Sequence, residues 1–193
     1  LHRVDRRQRQ MCIRDSANGV EQDYQQAKDW YEKAAEQNFA NAQFNLGMFY
    51  YKGEGVNQNF QQAREWFEKA ASQNQLNAQY NLGQIYYYGQ GVTQSYRKAK
   101  EWFEKAAGEG HVDAQYNLGV IYENGEGVGQ DFHQARAWYE KAASQNDAQA
   151  QFDLGVMNEL GQGGSINLKQ ARTWFGLACN NGHKEGCERY ENN

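Results

Sequence analysis

Ser95-Tyr96-Arg97-Lys98 reads S-x-x-K, the spacing at which penicillin-recognising enzymes set a lysine beside a serine nucleophile. Such enzymes also carry S-D-N and K-T-G segments, and neither occurs here. Cys179 and Cys187 flank His183, which leaves three readings open: a disulfide across a tight turn, favoured by the short separation, a metal site shared with the histidine, or two buried thiols. His2, His111, His133 and His183 show no ligand spacing, and no H-E-x-x-H motif is present, so neither a metal nor a cofactor is expected. Gly53-Glu54-Gly55 offers backbone N–H groups that could cradle a phosphate. A phosphate loop, however, occurs once and has a lysine and a hydroxyl beside it. Here glycine pairs recur at 53/55, 89/91, 125/127 and 161/163 without them, so the loop reads as a bend.

The recurrence extends to the elements that carry these residues. Ala27, Ala63, Ala99, Ala135 and Ala171 are spaced by 36 residues (27 to 63), and Trp30, Trp66, Trp102, Trp138 and Trp174 keep the same interval. A fixed period of this size marks a solenoid whose units bury their apolar faces on one another. Within one unit Ala42, Leu46, Phe49, Tyr50 and Gly53 form one stripe of a first helix, helix A. Phe60, Ala63, Phe67, Ala70 and Ala71 form the stripe of a second, helix B, with Trp66 on its flank and Arg64–Glu68 and Glu65–Lys69 pairs outside. Asp23, Asn59, Ser95, Asp131 and Asn167 share one phase just before helix B and read as N-caps, which makes Ser95 a cap and leaves no catalytic residue. Asn38, Asn74, Gly110, Asn146 and Gly182 stand where a left-handed residue ends helix B, and Gly53 ends helix A in the same way. With no proline and 20 glycines, every helix stop falls to glycine or asparagine. Val56 is positioned to anchor the connector between the helices.

Charge and hydropathy exclude other classes. No run of about 18 apolar residues occurs, and the mean hydropathy is -1.03, so no transmembrane segment is expected. The net charge is -4, but residues 1–16 hold five arginines against two aspartates, leaving -7 for the rest. That body repels phosphates, and nucleic acid is not an expected partner. "LHRVDRRQRQMCIRDS" does not fit the period; residues 1–18 are expected to be a basic leader that is either non-native or disordered, and Cys12 is set aside with it.

The patterns A-x-x-W-[YF]-x-x-A-A, N-L-G-x-x-Y and G-x-G-V resemble the Sel-1-like repeat, a relative of the tetratricopeptide repeat, over about residues 19–190. The resemblance implies an all-α, right-handed α–α solenoid over 19–193, with four full repeats near 41–76, 77–112, 113–148 and 149–183 and a half repeat at each end. Gly164, Asp153 and Asn158 depart from the pattern, so a looser connector is expected in the last unit. Cysteine-rich secreted members of the family carry cysteine pairs across such a turn. This implies a Cys179–Cys187 disulfide and a periplasmic or secreted location, with the cytoplasm as runner-up. In related solenoids helix A lines a concave groove, and the asparagine of N-L-G bonds the backbone of a bound peptide. That role carries to Asn45, Asn81 and Asn117, accompanied by Phe44, Tyr80, Tyr116, Tyr51 and Tyr87, and by Glu123 and Glu159 at the acidic end. The expected function is non-catalytic binding of a protein or extended peptide. A β-lactamase-like or penicillin-binding activity and an envelope polysaccharide-associated scaffold are the alternatives, and no oligomeric state is specified.

Overall fold

The computed structural model describes residues 24–192. These form ten α-helices and no strand: α1 (Tyr24–Glu36), α2 (Ala40–Lys52), α3 (Phe60–Ala71), α4 (Leu76–Tyr88), α5 (Tyr96–Gly108), α6 (Val112–Asn124), α7 (Phe132–Ser144), α8 (Ala148–Leu160), α9 (Leu168–Asn180) and α10 (Lys184–Asn192). Even-numbered helices are A helices and odd-numbered ones B helices. The basic leader, Val20 (the counterpart of Val56 one repeat earlier) and the cap position Asp23 lie outside the described residues. No helix among the described residues is long and apolar enough to cross a membrane.

The helix ends follow local chemistry. Asn59, Ser95, Asp131 and Asn167 each accept a backbone N–H from the first turn of their B helix. Asn38, Asn74 and Asn146 take φ of 64°, 58° and 65° after their B helices, where only asparagine or glycine fits cheaply. Each A–B connector closes on one backbone bond, from Asn59 N to Tyr50 O (2.8 Å), Ser95 N to Tyr86 O (2.9 Å), Asp131 N to Tyr122 O (2.8 Å) and Asn167 N to Asn158 O (2.9 Å). The last connector therefore keeps its closure. What it loses is a side-chain cap: Gln58, Gln94 and Gln130 donate to the carbonyls of Tyr51, Tyr87 and Glu123, and the fourth position is the exposed Ile166.

Two contacts build the stack. Mid-helix glycine costs about 1 kcal/mol relative to alanine, so packing must require it. A Cβ on Gly47, Gly83, Gly119 or Gly155 would run into the ring of Phe67, Phe103, Tyr139 or Phe175, the fully buried aromatic of the following B helix. The A and B helices of one repeat touch through this glycine. Between repeats the indole takes over. Trp66 packs on the cluster of Ala34, Ala35, Ala42 and Leu46, and Trp102, Trp138 and Trp174 pack on the clusters centred on Phe67, Phe103 and Tyr139. The outer side of three indoles is covered by a lysine one turn on, with Lys69, Lys105 and Lys141 Nζ at 3.8, 3.9 and 3.7 Å from the ring centroids. Lys69, read from sequence as a partner of Glu65, takes this place over Trp66, while Arg64 does pair with Glu68 at 3.5 Å.

Candidate functional site

The residues singled out on helix A occupy two environments. Phe44, Tyr80 and Tyr116 are half-buried, their rings 5.7, 5.8 and 5.5 Å from Phe67, Phe103 and Tyr139. They form the rim of the A–B contact and present one edge outward. Tyr51 and Tyr87 sit over the start of the following B helix, edge-on to Phe60 at 5.4 Å and Tyr96 at 5.2 Å. Burial pushes the Tyr87 hydroxyl above the usual tyrosine range, and its hydrogen bond to Glu126 adds to this.

The asparagine row connects neighbouring repeats at its C-terminal end and is open at its N-terminal end. Tyr80 is hydrogen-bonded to Asn117 and also accepts from Gln84 Nε2 at 2.9 Å; burial holds its pKa at about 12. Tyr116 donates to Asp153, the next member of the row. For Asn81 the residue equivalent to Tyr80 is Phe44, which has no hydroxyl, and the Asn81 amide donates back to Asn77 O at 2.7 Å. Asn45 has no side-chain partner among the described residues. Phe44 in place of tyrosine thus leaves Asn81 with capacity that Asn117 has spent on the stack.

Acidic groups gather at the other end. Tyr139 stands where the other full repeats carry Phe67, Phe103 and Phe175, and its hydroxyl donates to Glu123 Oε2 at 2.6 Å. Glu123 in turn stands where earlier repeats carry tyrosine, so the two exchanges compensate. Burial raises Asp153 to about 6 against the hydrogen bonds from Tyr116 and Gln149, and the negative charges of Glu123 and Asp147 push the same way. No basic side chain pairs with Glu123 or Asp153 among the described residues. Glu159 is different, since Arg189 of α10 holds it at 2.8 Å.

The chemistry-bearing residues are accounted for by structure. Ser95 Oγ accepts the backbone N–H of Lys98 at 3.3 Å, while Lys98 Nζ lies 5.1 Å from the Tyr86 ring centroid. Cys179 and Cys187 are joined in a disulfide, Cα atoms 4.5 Å apart, which ties α9 to α10. His183 between them accepts from Gly186 N at 3.0 Å and stacks on Phe152 at 4.4 Å. His111 does the same one repeat pair earlier, accepting from Ala114 N and stacking on Tyr80 at 4.5 Å; burial lowers its pKa. No group of three potential metal ligands occurs among the described residues.

The repeat recurs in known proteins. The Sel1 repeat model matches residues 11–39, 40–75, 76–111, 112–147 and 148–183. The chain belongs to the Sel1 repeat family. Among solved structures it is similar to c5321, described as a protective antigen present in uropathogenic Escherichia coli strains displaying an SLR fold (34% identity, TM-score 0.89, covering 97% of this chain and 40% of that one). It is also similar to a Sel1 repeat protein from Oxalobacter formigenes (36% identity, TM-score 0.84, 93% and 73% covered). Helicobacter pylori cysteine rich protein B shares 29% identity at TM-score 0.50, over 65% of this chain and 95% of that one. The chain thus spans well under half of c5321. No curated protein matches it.

Proposed function

We propose that this Sel1 repeat array is a non-catalytic scaffold that binds a protein or extended peptide along the exposed side of its A helices, in a periplasmic or secreted setting. One observation carries the reading: the asparagine row is open at Asn45 and Asn81, where the aromatic rims of Phe44, Tyr80, Tyr51 and Tyr87 flank it. Amides offer both donor and acceptor to an extended backbone, and aromatic edges add contact area at little entropic cost. Glu123 and Asp153 at the far end, hydrogen-bonded but with no ion-pair partner among the described residues, favour a ligand whose corresponding end is basic. The disulfide supports an oxidising compartment.

A library of ten-residue peptides, half of them ending in a lysine or arginine pair and half in an acidic pair, tests this. Basic-ended peptides are expected to bind preferentially, and Asn45→Ala with Asn81→Ala to weaken them about tenfold. Glu123→Gln should reduce the preference by several-fold at low salt and by less at 0.5 M salt. Equal binding of both peptide classes would refute the charge assignment. Nitrocefin turnover abolished by Ser95→Ala would refute the non-catalytic reading.

A further inference from the structure

One rung of the buried amide ladder lacks a donor. In three repeats a buried glutamine of helix A is held from both ends. Gln43, Gln115 and Gln151 donate to the carbonyls of Ala35, Ala107 and Ala143 at 3.3, 3.1 and 3.1 Å. Their oxygens accept from Gln73 at 2.8 Å, Gln145 at 2.9 Å and Asn181 at 2.8 Å, amides in the B–A turn of the following repeat. The same turn amide reaches a second oxygen, Asn38 Oδ1 at 3.3 Å from Gln73 and Gly110 O at 3.1 Å from Gln145.

The remaining rung is Gln79, which is 5% exposed, and its turn partner is Glu109. A carboxylate has no N–H to give. Gln79 Oε1 is accordingly buried without a partner. Turning the amide over does not remove the deficit: the nitrogen can then give an N–H to Glu109, but the oxygen turns to the side of the Ala71 carbonyl, which itself accepts from Asn74 N and has no N–H to give. In either orientation Gln79, Glu109 and the Asn74 turn hold more acceptors than donors, and burial makes an unmade bond expensive.

Charge adds to the shortage of donors. Glu109 has no ion-pair partner among the described residues, because Lys105, one turn earlier, lies 3.9 Å from the Trp102 ring centroid. Asp113, whose charge acts on Tyr80 beside Gln79 and on His111, adds a second negative charge nearby. Water would supply O–H donors but leave the Glu109 charge without a counter-charge. An ammonium group brings three rotatable donors and a point charge, matching the amide that fills the other three rungs.

We propose that the rung made by Asn74, Gln79 and Glu109, equivalent to Asn38, Gln43 and Gln73, is a binding site for a primary ammonium, the tip of a lysine side chain of a partner protein. It uses none of the residues assigned to the helix A face, so either site can fail without the other. Titrating the folded chain with methylammonium chloride, while recording the Gln79 side-chain amide resonances, tests it. Saturable shifts are expected with methylammonium and with N-acetyl-lysine methylamide, and none with tetramethylammonium, which has the charge but no N–H. Glu109→Gln restores the donor that Gln73 and Gln145 supply and should weaken methylammonium about tenfold or more. The same shifts with tetramethylammonium, unchanged affinity in Glu109→Gln, or a crystal grown with methylammonium that shows only an ordered water at Gln79 would each overturn the proposal.

Discussion

Phe103→Ala is expected to lower the unfolding free energy by about 3–5 kcal/mol, measured by urea unfolding followed by far-UV circular dichroism. Phe103 is fully buried in the middle of the stack, packed with Ala99, Ala106, Leu118 and Ile121, and the Tyr80 and Tyr87 rings lie against it. Removing its ring leaves a cavity at the junction of two repeats, where a terminal unit cannot fray to absorb the loss. The companion change gives a sign that propensity alone would get wrong. Gly83→Ala adds helix propensity worth about 1 kcal/mol, yet its Cβ would collide with the Phe103 ring. Overpacking of this kind costs about 1–3 kcal/mol, so the net effect is expected to be destabilising. A more stable Gly83→Ala protein would show that α4 and α5 do not meet at this glycine.

Most of the fold was legible because the features that define it recur. A cap seen once is a weak signal, but Asn59, Ser95, Asp131 and Asn167 in one phase identify the start of a helix, and the structure shows all four accepting backbone N–H groups. The same phase argument set aside the S-x-x-K motif. What the period concealed were interactions made where units differ. Tyr139 in place of phenylalanine and Glu123 in place of tyrosine each look like a local exception, and only three-dimensional proximity shows that they satisfy each other.

Gln43 and its counterparts were absent from the expected core because a polar residue next to an apolar stripe reads as surface. They are buried because the preceding helix ends there with carbonyls that need a donor. Phe44, Tyr80 and Tyr116 follow these glutamines by one residue, about 100° around the helix, which places them at the border of the buried stripe. Their rings therefore divide between the B helix and the outer face. Sequence phase alone gives the position of such a residue but not that division. The pairing of Glu159 with Arg189 likewise depends on α10, whose polar sequence carried little of the repeat pattern.

Asp153→Asn is expected to stabilise the protein by about 2–3 kcal/mol at pH 7 and to leave it nearly unchanged at pH 3. The aspartate breaks a row that otherwise reads Asn45, Asn81 and Asn117, and burial raises its pKa from 3.8 to about 6. Because the folded-state value lies above the unfolded one, ionising this carboxyl favours unfolding. Its contribution is therefore fully favourable below about pH 4, declines as pH rises through about 6, and stays at its lower level beyond. Asparagine has no proton to lose, and its carbonyl can accept from Tyr116 and Gln149 as the carboxylate does. The difference in unfolding free energy between the two proteins, measured by urea titration from pH 3 to 8, should rise between about pH 4 and 6 and then level off. A flat difference would mean that Asp153 is well solvated. A difference of opposite sign would mean that a cation already pairs with it, and the acidic end would then be occupied from within the chain, leaving nothing there for a basic ligand to neutralise.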